Sequence, residues 1–280
     1  MGHKSILKKI REAALDSECE SLVLTFFPHP RMILQQDSDI KLLNTIQEKA
    51  DLLKDFGIDN LVIQKFDNSF SQLEPEEFVK QVLVDQFNVG KIVIGYDHRF
   101  GKNRAADIND LIAFGLKYGF EVEQISAQEI DDVSVSSTKV RNAIQSGNIS
   151  LANDFLGYQY FLKGTVVKGK QLGRTIGYPT ANVKVNETYK LIPAIGVYAV
   201  SVLIDEVKYF GMLNIGTNPT VGENPLTIEV NIFDFDQDIY DKEIVISFID
   251  KIRDQQKFNS LEELKNALAQ DKITATNLTS

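Results

Sequence analysis

The chain has 280 residues, enough for two domains, and its 43% hydrophobic and 25% charged residues are ordinary for a soluble globular protein. Its formal net charge of −9 excludes a general attraction to nucleic acid, so any phosphate that it binds has to meet a local basic site. A single cysteine, Cys19, excludes an internal disulfide framework, and no apolar run approaches the roughly 20 residues that a membrane span needs.

The first half of the chain alternates helical and strand-like segments. Apolar residues at helical spacing predict helices near 3–18, 44–56, 75–87 and 107–118. Short apolar runs predict strands at 22–27, 61–63, 92–95 and 120–125. This alternation predicts a parallel, doubly wound α/β sheet, in which ligands lie beyond the carboxyl ends of the strands. We therefore expect a ligand near the loops that follow Phe27 and Gly95.

The pattern changes after about residue 157. Strand-like segments follow one another without helices between them, which predicts an antiparallel barrel or sandwich. Ser260, with Glu263 at the spacing of a capping box, predicts the start of a final helix. Two architectures in series predict two domains, residues 1–157 and residues 158–280. The predicted strands of the second domain are 161–168, 196–204, 207–215, 227–233 and 243–248.

The run from Gly164 to Asn182 is rich in glycine and ends with a hydroxyl and a carboxamide. Glycines let backbone N–H groups approach an anion, and Thr180 and Asn182 offer oxygen atoms to a hard cation. The run therefore indicates a nucleotide and magnesium site, although a glycine-rich turn between strands would have the same composition. A P-loop is excluded, because Gln171 stands where Ser or Thr must bind magnesium and the following residues are too glycine-rich to begin a helix.

The predicted strand at 227–233 alternates polar and apolar residues, so Glu229 shares a face with Thr227 and Asn231. A carboxylate in this position could orient and deprotonate a hydroxyl group that attacks a nucleotide phosphate. The pattern alone also fits a strand that turns its polar face to solvent.

Four separated elements of the second half resemble the signature of riboflavin kinases. They are the run 169–182 with Pro179-Thr180-Ala181-Asn182, the run 214–220, Glu229, and the run 253–258. The resemblance covers about residues 158–272. It implies a six-stranded barrel that transfers the γ-phosphate of ATP to the ribityl 5′-hydroxyl of riboflavin. Asn218 departs from the Arg that many bacterial members of the family carry.

The resemblance also implies a role for each matching position. Thr180 and Asn182 would bind Mg²⁺ and ATP, and Glu229 would be the general base. Arg253 and Phe258 fall in the segment that closes over the flavin in this family. The glycine loop would cover the phosphates of ATP, and its ATP-binding residues would be Gly169, Lys170, Gly173, Arg174 and Gly177.

Three features of the first half accompany the predicted doubly wound sheet. They are a histidine between prolines, a polar loop after the strand at 92–95, and a Ser-Ser-Thr run before a helix near residue 138. Taken singly, they fit a rigid turn, an ordinary loop and a helix cap. Hydroxyls at a helix N-terminus also make a natural phosphate site, which a basic residue one turn later reinforces. The residues concerned are His29, Asp97, Arg99, Asn103, Arg104, Ser136, Ser137, Thr138 and Arg141.

Together these features resemble the adenylyltransferase half of the bifunctional riboflavin kinase/FMN adenylyltransferases, also called FAD synthetases. Their superfamily holds ATP with a His-x-Gly-His element and an Ile-Ser-Ser-Thr-x-x-Arg-like element, and the second is intact here apart from Val135. The resemblance implies attack of the FMN phosphate on the α-phosphorus of ATP with release of pyrophosphate. Cationic side chains and magnesium would stabilise the developing charge.

The start of the chain departs from this family. Met1-Gly2-His3 matches only the last two residues of the family's opening loop, so His3 would be its second histidine, and the first strand and first histidine have no counterpart. Because that strand is expected near the middle of the sheet, its loss would remove hydrogen-bond ladders as well as catalytic groups. We therefore expect a shortened form of a longer parent, or a degenerate domain, that phosphorylates riboflavin but makes FAD poorly.

Two other classes of protein are open to test. A non-catalytic flavin-nucleotide-binding or regulatory protein would keep the fold without turnover. A nucleic-acid-binding barrel is disfavoured by the acidic charge and by the lack of a basic and aromatic stripe. We expect a cytoplasmic enzyme that uses Mg²⁺ and ATP, acts on riboflavin and FMN, and has neither nucleic acid nor a membrane as a partner.

Overall fold

The computed structural model describes residues 2–35, 40–95, 98–125, 135–169, 171–217 and 226–279. The chain divides into two compact units, Met1–Val135 and Ser136–Ser280. The first unit alternates helices with parallel strands, and the second is built around an antiparallel barrel. Both architectures agree with the fold class that the sequence predicts. None of the helices in the described ranges is long and apolar enough to cross a membrane.

The described part of the first unit contains four short strands, each preceded by a helix. Its helix α5 continues directly into a π-helical turn over Val79–Val84, and a short 3₁₀ turn covers Lys102–Arg104. The strands are β1 (Leu22–Phe27), β2 (Asn60–Lys65), β3 (Lys91–Gly95) and β4 (Glu121–Ile125). The helices are α1 (Gly2–Asp16), α2 (Pro30–Leu34), α3 (Ile46–Asp55), α4 (Asn68–Ser71), α5 (Pro75–Phe78) and α6 (Ile108–Tyr118).

The strands of the first unit pair two by two. β1 pairs with β2 and β3 pairs with β4, both in parallel, as expected for helical crossovers. Among the described residues no strand pairing joins the two pairs, so β1 and β3 each have one edge outside any hydrogen-bond ladder. The doubly wound alternation is therefore present, whereas the single continuous sheet that it predicts is divided into two.

Aromatic and aliphatic side chains form the core of the first unit. Val79, Val82 and Leu111 are almost completely buried, and Leu24 and Ile94 bring the strand pairs into the same cluster. Both strand pairs thus share one apolar core, although in the described ranges no backbone hydrogen bonds between strands connect them. This packing explains how the unit stays compact with a divided sheet, because burial of apolar surface is the main favourable contribution to folding.

Over its described residues, the second unit forms a closed barrel of six antiparallel strands and has four helices. The strand order around the barrel is β10-β5-β6-β9-β8-β7, which confirms the barrel implied by the resemblance. The strands are β5 (Phe161–Val167), β6 (Ala181–Lys184), β7 (Gly196–Ile204), β8 (Val207–Thr217), β9 (Leu226–Ile232) and β10 (Glu243–Arg253). The helices are α7 (Ser137–Ser146), α8 (Ile149–Leu156), α9 (Leu172–Thr175) and α10 (Leu261–Thr279).

The barrel has a closed apolar interior and a partly covered outer face. Leu162 and Val166 of β5 are buried inside, and the register places Val183 of β6 opposite Val166. Because side chains alternate along a strand, Asn182 of β6 lies on the outer face. Helix α10 packs on the outer face as well, where its Ala275 meets residues of β7 and β8. Polar side chains that alternate with the buried ones along these strands therefore face outward.

Helices α7 and α8 belong to the barrel unit, although the sequence pattern places a boundary near residue 157. Ile144 and Ile149 are completely buried, and the backbone N–H of Ala194 donates to the carbonyl of Ile144 at 3.2 Å. The Asn153 amide donates to the Phe248 carbonyl at 3.0 Å. The change of pattern marks where helices give way to strands, but the compact unit begins earlier. The functional division into 1–157 and 158–280 remains a prediction.

One turn of helix, α9, forms inside the glycine-rich run, so the prediction that these residues cannot begin a helix is wrong. Gln171 precedes it in the left-handed region and provides no side-chain cap. Gly177, with φ of +87°, follows two residues after its end. The helix within the described part of this run is therefore only four residues long. The exclusion of a P-loop now rests on Gln171, which cannot supply the hydroxyl that this motif needs for magnesium.

Candidate active site

Three polar residues lie side by side on the outer face of the barrel. Glu229 of β9 is opposite Asn182 of β6 on one side and opposite Asn214 of β8 on the other. Residues directly opposite each other in an antiparallel ladder point to the same face, with Cβ atoms roughly 4.5–5.5 Å apart. All three are only partly buried. We call Asn182, Glu229 and Asn214 the polar row.

Thr180 and Glu229, two residues that the resemblance singles out, are neighbours in the structure. The Thr180 hydroxyl donates to Oε2 of Glu229 at 3.4 Å, a long and therefore weak hydrogen bond. Asn231, two residues after Glu229, donates from Nδ2 to the carbonyl oxygen of Pro179 at 2.6 Å. Strand β9 thus carries the carboxylate and also the amide that holds the segment before β6 against it. Sequence reasoning placed Asn231 on the same face but did not find this contact.

The glycine loop lies directly against the proposed metal and ATP ligands. A Cβ atom built on Gly169 would lie 2.1 Å from Nδ2 of Asn182. A Cβ atom on Gly173 would lie 2.2 Å from the carbonyl oxygen of Tyr178 and 3.5 Å from the Thr180 hydroxyl. Side chains at these two positions would displace their neighbours, so glycine is required by close approach.

The other predicted members of the loop divide into two groups. Arg174 and Gly177 are exposed at and just after α9, in positions open to a ligand. Lys170 lies outside the described residues. The loop brings the backbone at Gly169 against the end of the polar row at Asn182, and backbone N–H groups of such a loop suit phosphate groups.

The oxygen atoms near Asn182 suit a hard cation. Thr180 and Asn182 offer hydroxyl and carboxamide oxygens, ligand types that Mg²⁺ accepts, beside the carboxylate of Glu229. Within the described ranges no group of three or more His, Cys, Asp or Glu side chains could hold a metal ion. A cation here would therefore depend on these oxygens together with phosphate oxygens of a nucleotide, as is usual for Mg²⁺ in kinases.

The predicted flavin-binding residues lie beyond the opposite end of the polar row. Val197 of β7 is opposite both Asn214 and Arg253 in the ladder, so Arg253 continues the same outer face. The guanidinium of Arg253 lies 5.6 Å from the centre of the Phe258 ring. Arg253 also forms an ion pair with Asp271 of α10, a residue that sequence reasoning missed. Asn218 and the rest of its motif up to Thr220 lie outside the described residues.

The predicted adenylyltransferase loops of the first unit lie after β1 and β3. His29 caps the N-terminus of α2, where its Nδ1 accepts from the N–H of Arg31 at 3.2 Å. Arg99, Asn103 and Arg104 are exposed after β3. Asp97 and the side chain of His3 lie outside the described part of the chain. The position of these loops at the carboxyl ends of strands agrees with the expected place of a ligand.

The Ser-Ser-Thr run begins α7 in the second unit. Ser136 is the N-cap, and its Oγ accepts from the N–H of Lys139 at 3.3 Å. Ser137 and Thr138 are exposed in the first turn, and Arg141 follows one turn later. The simpler explanation as a helix cap is therefore confirmed for Ser136. A role of these residues in ATP binding stays a prediction.

Family models match the chain in both halves. A riboflavin kinase model matches residues 156–279, and an FAD synthetase model matches residues 1–139. The bifunctional riboflavin kinase/FMN adenylyltransferase of Listeria monocytogenes is 38% identical over 276 residues, which cover 97% of this chain and 86% of the relative. The chain belongs to the bifunctional riboflavin kinase/FMN adenylyltransferase family. It therefore has the two activities of that family, riboflavin phosphorylation and FMN adenylylation.

Two further comparisons extend this result. The bifunctional riboflavin kinase/FMN adenylyltransferase of Escherichia coli K12 is 36% identical over 275 residues, covering 98% of this chain and 87% of the relative. A crystal structure titled as a macrolide-efflux protein from Streptococcus pneumoniae has a TM-score of 0.90 at 33% identity. The match covers 99% of this chain and 90% of the chain in that crystal structure. The family predicted from the sequence motifs is thus confirmed, although that one title names a different activity.

Proposed function

We propose that the polar row is the centre of the riboflavin kinase site and that Glu229 is its general base. The observation that carries the proposal is the position of Glu229 between Asn182 and Asn214, with the Thr180 hydroxyl at 3.4 Å. The oxygen of the ribityl 5′-hydroxyl bonds to the γ-phosphorus of ATP, and Glu229 accepts the proton that this hydroxyl loses. The bond from this phosphorus to the β,γ-bridging oxygen breaks, so FMN and ADP are the products.

The remaining residues bind and orient the nucleotide. Thr180 and Asn182 would hold Mg²⁺, which neutralises phosphate charge when it is bound. The glycine loop, including Lys170 and Arg174, covers the phosphates and limits the access of water. Phosphoryl transfer depends mostly on such positioning and charge neutralisation, so a site with one carboxylate and few other reactive groups is sufficient. We place the reaction in the cytoplasm, where ATP is available.

We further propose that Ser136, Ser137, Thr138 and Arg141 of the barrel unit bind ATP for FMN adenylylation. The N-cap position of Ser136 and the exposure of the hydroxyls beside it support this role. Separately, we propose a role in the same reaction for the loops of the first unit that follow β1 and β3, with the residues His29, Arg99, Asn103 and Arg104. This chain should form FAD much more slowly than FMN, because no strand pairing among the described residues of the first unit joins its two strand pairs. Incubation with riboflavin, ATP and Mg²⁺, followed by separation of the flavins, tests this rate difference. FAD that accumulates as fast as FMN would contradict it.

Replacement of Glu229 by Gln tests the kinase proposal. We expect kcat for FMN formation to fall about 10²–10⁴-fold, the usual contribution of a general base. Riboflavin binding, followed by quenching of its fluorescence, should change less than about twofold, since the shape of the side chain is kept. Glu206→Gln, at the exposed turn between β7 and β8, is the matched control and should leave both quantities unchanged.

The same experiment separates the enzyme from its main alternative. A non-catalytic flavin-nucleotide binder would bind riboflavin in the unsubstituted and the substituted chain without forming FMN in either. Unchanged turnover in Glu229→Gln would show that another group accepts the proton. Only loss of turnover with binding retained supports Glu229 as the base.

A further inference from the structure

Of the three residues in the polar row, Asn182 and Glu229 have proposed roles in the kinase reaction, and Asn214 has none. It lies on the side of Glu229 opposite Asn182. Adjacent strands are roughly 4.7–4.9 Å apart, so two strand spacings, roughly 9.5 Å, separate the Asn182 and Asn214 positions. The nucleotide residues gather at the Asn182 end of the row. The Asn214 end is therefore on the side from which the attacking hydroxyl has to arrive.

The surroundings of Asn214 leave its amide available to a ligand. Leu213 and Ile215, its neighbours along β8, are completely buried, whereas Asn214 faces outward and is partly exposed. The Asn214 carboxamide forms no hydrogen bond with the part of the chain that the structure describes. A polar group in this condition gains free energy when a ligand supplies the missing partner.

A second carboxamide lies next to it. A Cβ atom built on Gly216 would lie 3.1 Å from Nε2 of Gln255 and 3.2 Å from Nδ2 of Asn214. Both amide nitrogens therefore lie within 3.2 Å of the same point above Gly216, where the lack of a side chain leaves space between them. Gln255 belongs to the segment between β10 and α10 that also carries Phe258. The Asn214 end of the row thus faces the segment predicted to cover the flavin, and the Asn182 end faces Gly169 of the glycine loop.

From this arrangement we infer that Asn214, together with Gln255, binds the hydroxyl groups of the ribityl chain and orients the terminal hydroxyl toward Glu229. A carboxamide offers both a donor and an acceptor, and so does each hydroxyl of a polyol, so the two groups are chemically matched. The inference rests on the proposed kinase site. It assigns recognition of a polyol chain to β8, whereas the flavin ring is left to the segment with Phe258.

The test compares two flavins in the full chain. Lumiflavin has the same ring system as riboflavin but a methyl group in place of the ribityl chain, so it reports binding of the ring alone. In Asn214→Ala we expect riboflavin affinity, measured by fluorescence quenching, to fall about tenfold, as for the loss of one or two hydrogen bonds. Lumiflavin affinity and the KM for Mg²⁺–ATP should change less than about twofold, and kcat should fall because the hydroxyl is misplaced.

Two companion variants complete the test. Gln255→Ala should show the same selective effect on riboflavin, because Gln255 is exposed and its replacement leaves the barrel intact. Asn214→Asp keeps the shape and an acceptor if the alanine variant does not fold, and it should also weaken riboflavin more than lumiflavin. Asn266→Ala, on the exposed side of α10, is the control and should change neither affinity.

Three results would overturn the inference: equal loss of riboflavin and lumiflavin binding, a selective rise in the KM for Mg²⁺–ATP, or no change in any quantity. Its failure is distinguishable from failure of the kinase proposal. If the unsubstituted chain forms no FMN, the kinase proposal fails. If the unsubstituted chain forms FMN and Asn214→Ala behaves in the same way, only the role of Asn214 is wrong.

Discussion

Arg253 of β10 and Asp271 of α10 form a two-pronged ion pair. Nε of Arg253 lies 2.8 Å from Oδ1 of Asp271, and Nη2 lies 2.7 Å from Oδ2. Only 19% of the Arg253 side chain and 3% of the Asp271 side chain are exposed. Paired parallel hydrogen bonds of this kind fix the plane of the guanidinium. Helix α10 therefore holds in place the residue at which the segment predicted to cover the flavin begins.

Replacement of Asp271 by Ala should destabilise the barrel unit. It leaves the buried guanidinium of Arg253 without its anion, and breaking such a pair costs about 3–5 kcal/mol of unfolding free energy. Urea unfolding of the two chains measures the difference. Asp254→Ala is the control, because Asp254 pairs with Lys251 at a carboxylate that is 85% exposed, and we expect little change. Equal losses in both variants would contradict a special role of the Asp271 pair.

Gly169→Ala should weaken the use of Mg²⁺–ATP. The added methyl group would meet the Asn182 amide at 2.1 Å, so Asn182 has to move away from the polar row. Groups that orient a metal ligand usually contribute about 10–100-fold, and we expect the apparent Mg²⁺ affinity and kcat to fall by amounts in that range. Gly90→Ala is the matched control, since nothing lies within 4 Å of a Cβ atom there. Normal Mg²⁺ dependence in Gly169→Ala would show that Asn182 does not bind the metal complex.

Asn231→Asp should also weaken the binding of Mg²⁺–ATP. The substitution keeps the size of the side chain but replaces the donor that holds the Pro179 carbonyl at 2.6 Å with an acceptor. Thr180 follows Pro179 directly, so its hydroxyl loses a fixed position. We expect the KM for Mg²⁺–ATP to rise about tenfold, which corresponds to the net contribution of about one hydrogen bond. Riboflavin affinity should stay within about twofold, and the reverse pattern would place Asn231 on the flavin side.

The carboxylate of Asp59 should make the stability of the first unit pH-dependent. Its Oδ2 accepts from the N–H and hydroxyl of Ser21 at 2.8 and 2.7 Å, and these bonds hold the pKa of Asp59 below its ordinary value. A lowered pKa in the folded state means that the bonds stabilise the fold above the pKa of the unfolded chain, roughly 3.9. This stabilisation is lost as pH falls through the lower, folded-state value.

Thermal unfolding of Asp59→Asn beside the unsubstituted chain checks this expectation. The difference in Tm should be present at pH 7 and should shrink as the buffer is acidified below the pKa of an unfolded Asp. A difference that stays the same down to strongly acidic pH would show that the ionised carboxylate does not stabilise the fold.

Strand positions could be read from the sequence where apolar runs are long or alternation is regular. The predicted strand at 22–27 coincides with β1, and that at 196–204 coincides with β7. β6 was missed, because its four residues, Ala181–Lys184, follow a glycine-rich run and are too few to show a period. The choice of partner for each strand of the first unit has no local signal, since the pairing of distant strands depends on tertiary structure.

The candidate site could be predicted in its members but not in their arrangement. The alternation of β9 puts Glu229 on a polar face, yet only the register shows that Asn182 and Asn214 flank it. Asp271 could not be found from the sequence. It lies on α10, 18 residues after Arg253, and the pattern of that helix does not indicate an ion pair. Long-range pairs of this kind leave no period in the sequence.

Helix α7 belongs to the barrel unit, and this affects which proposed site residues a gene fragment for either unit would encode. Its Val140 and Ile144 are buried, and the unit to which they belong begins at Ser136. A gene fragment that ends with the first compact unit would encode the adenylyltransferase loops but not the Ser-Ser-Thr helix that we assign to ATP. A fragment that encodes the barrel unit would retain that helix beside a complete kinase. A cut between the compact units would therefore divide the residues that we propose for adenylylation and would leave those that we propose for the kinase on one fragment.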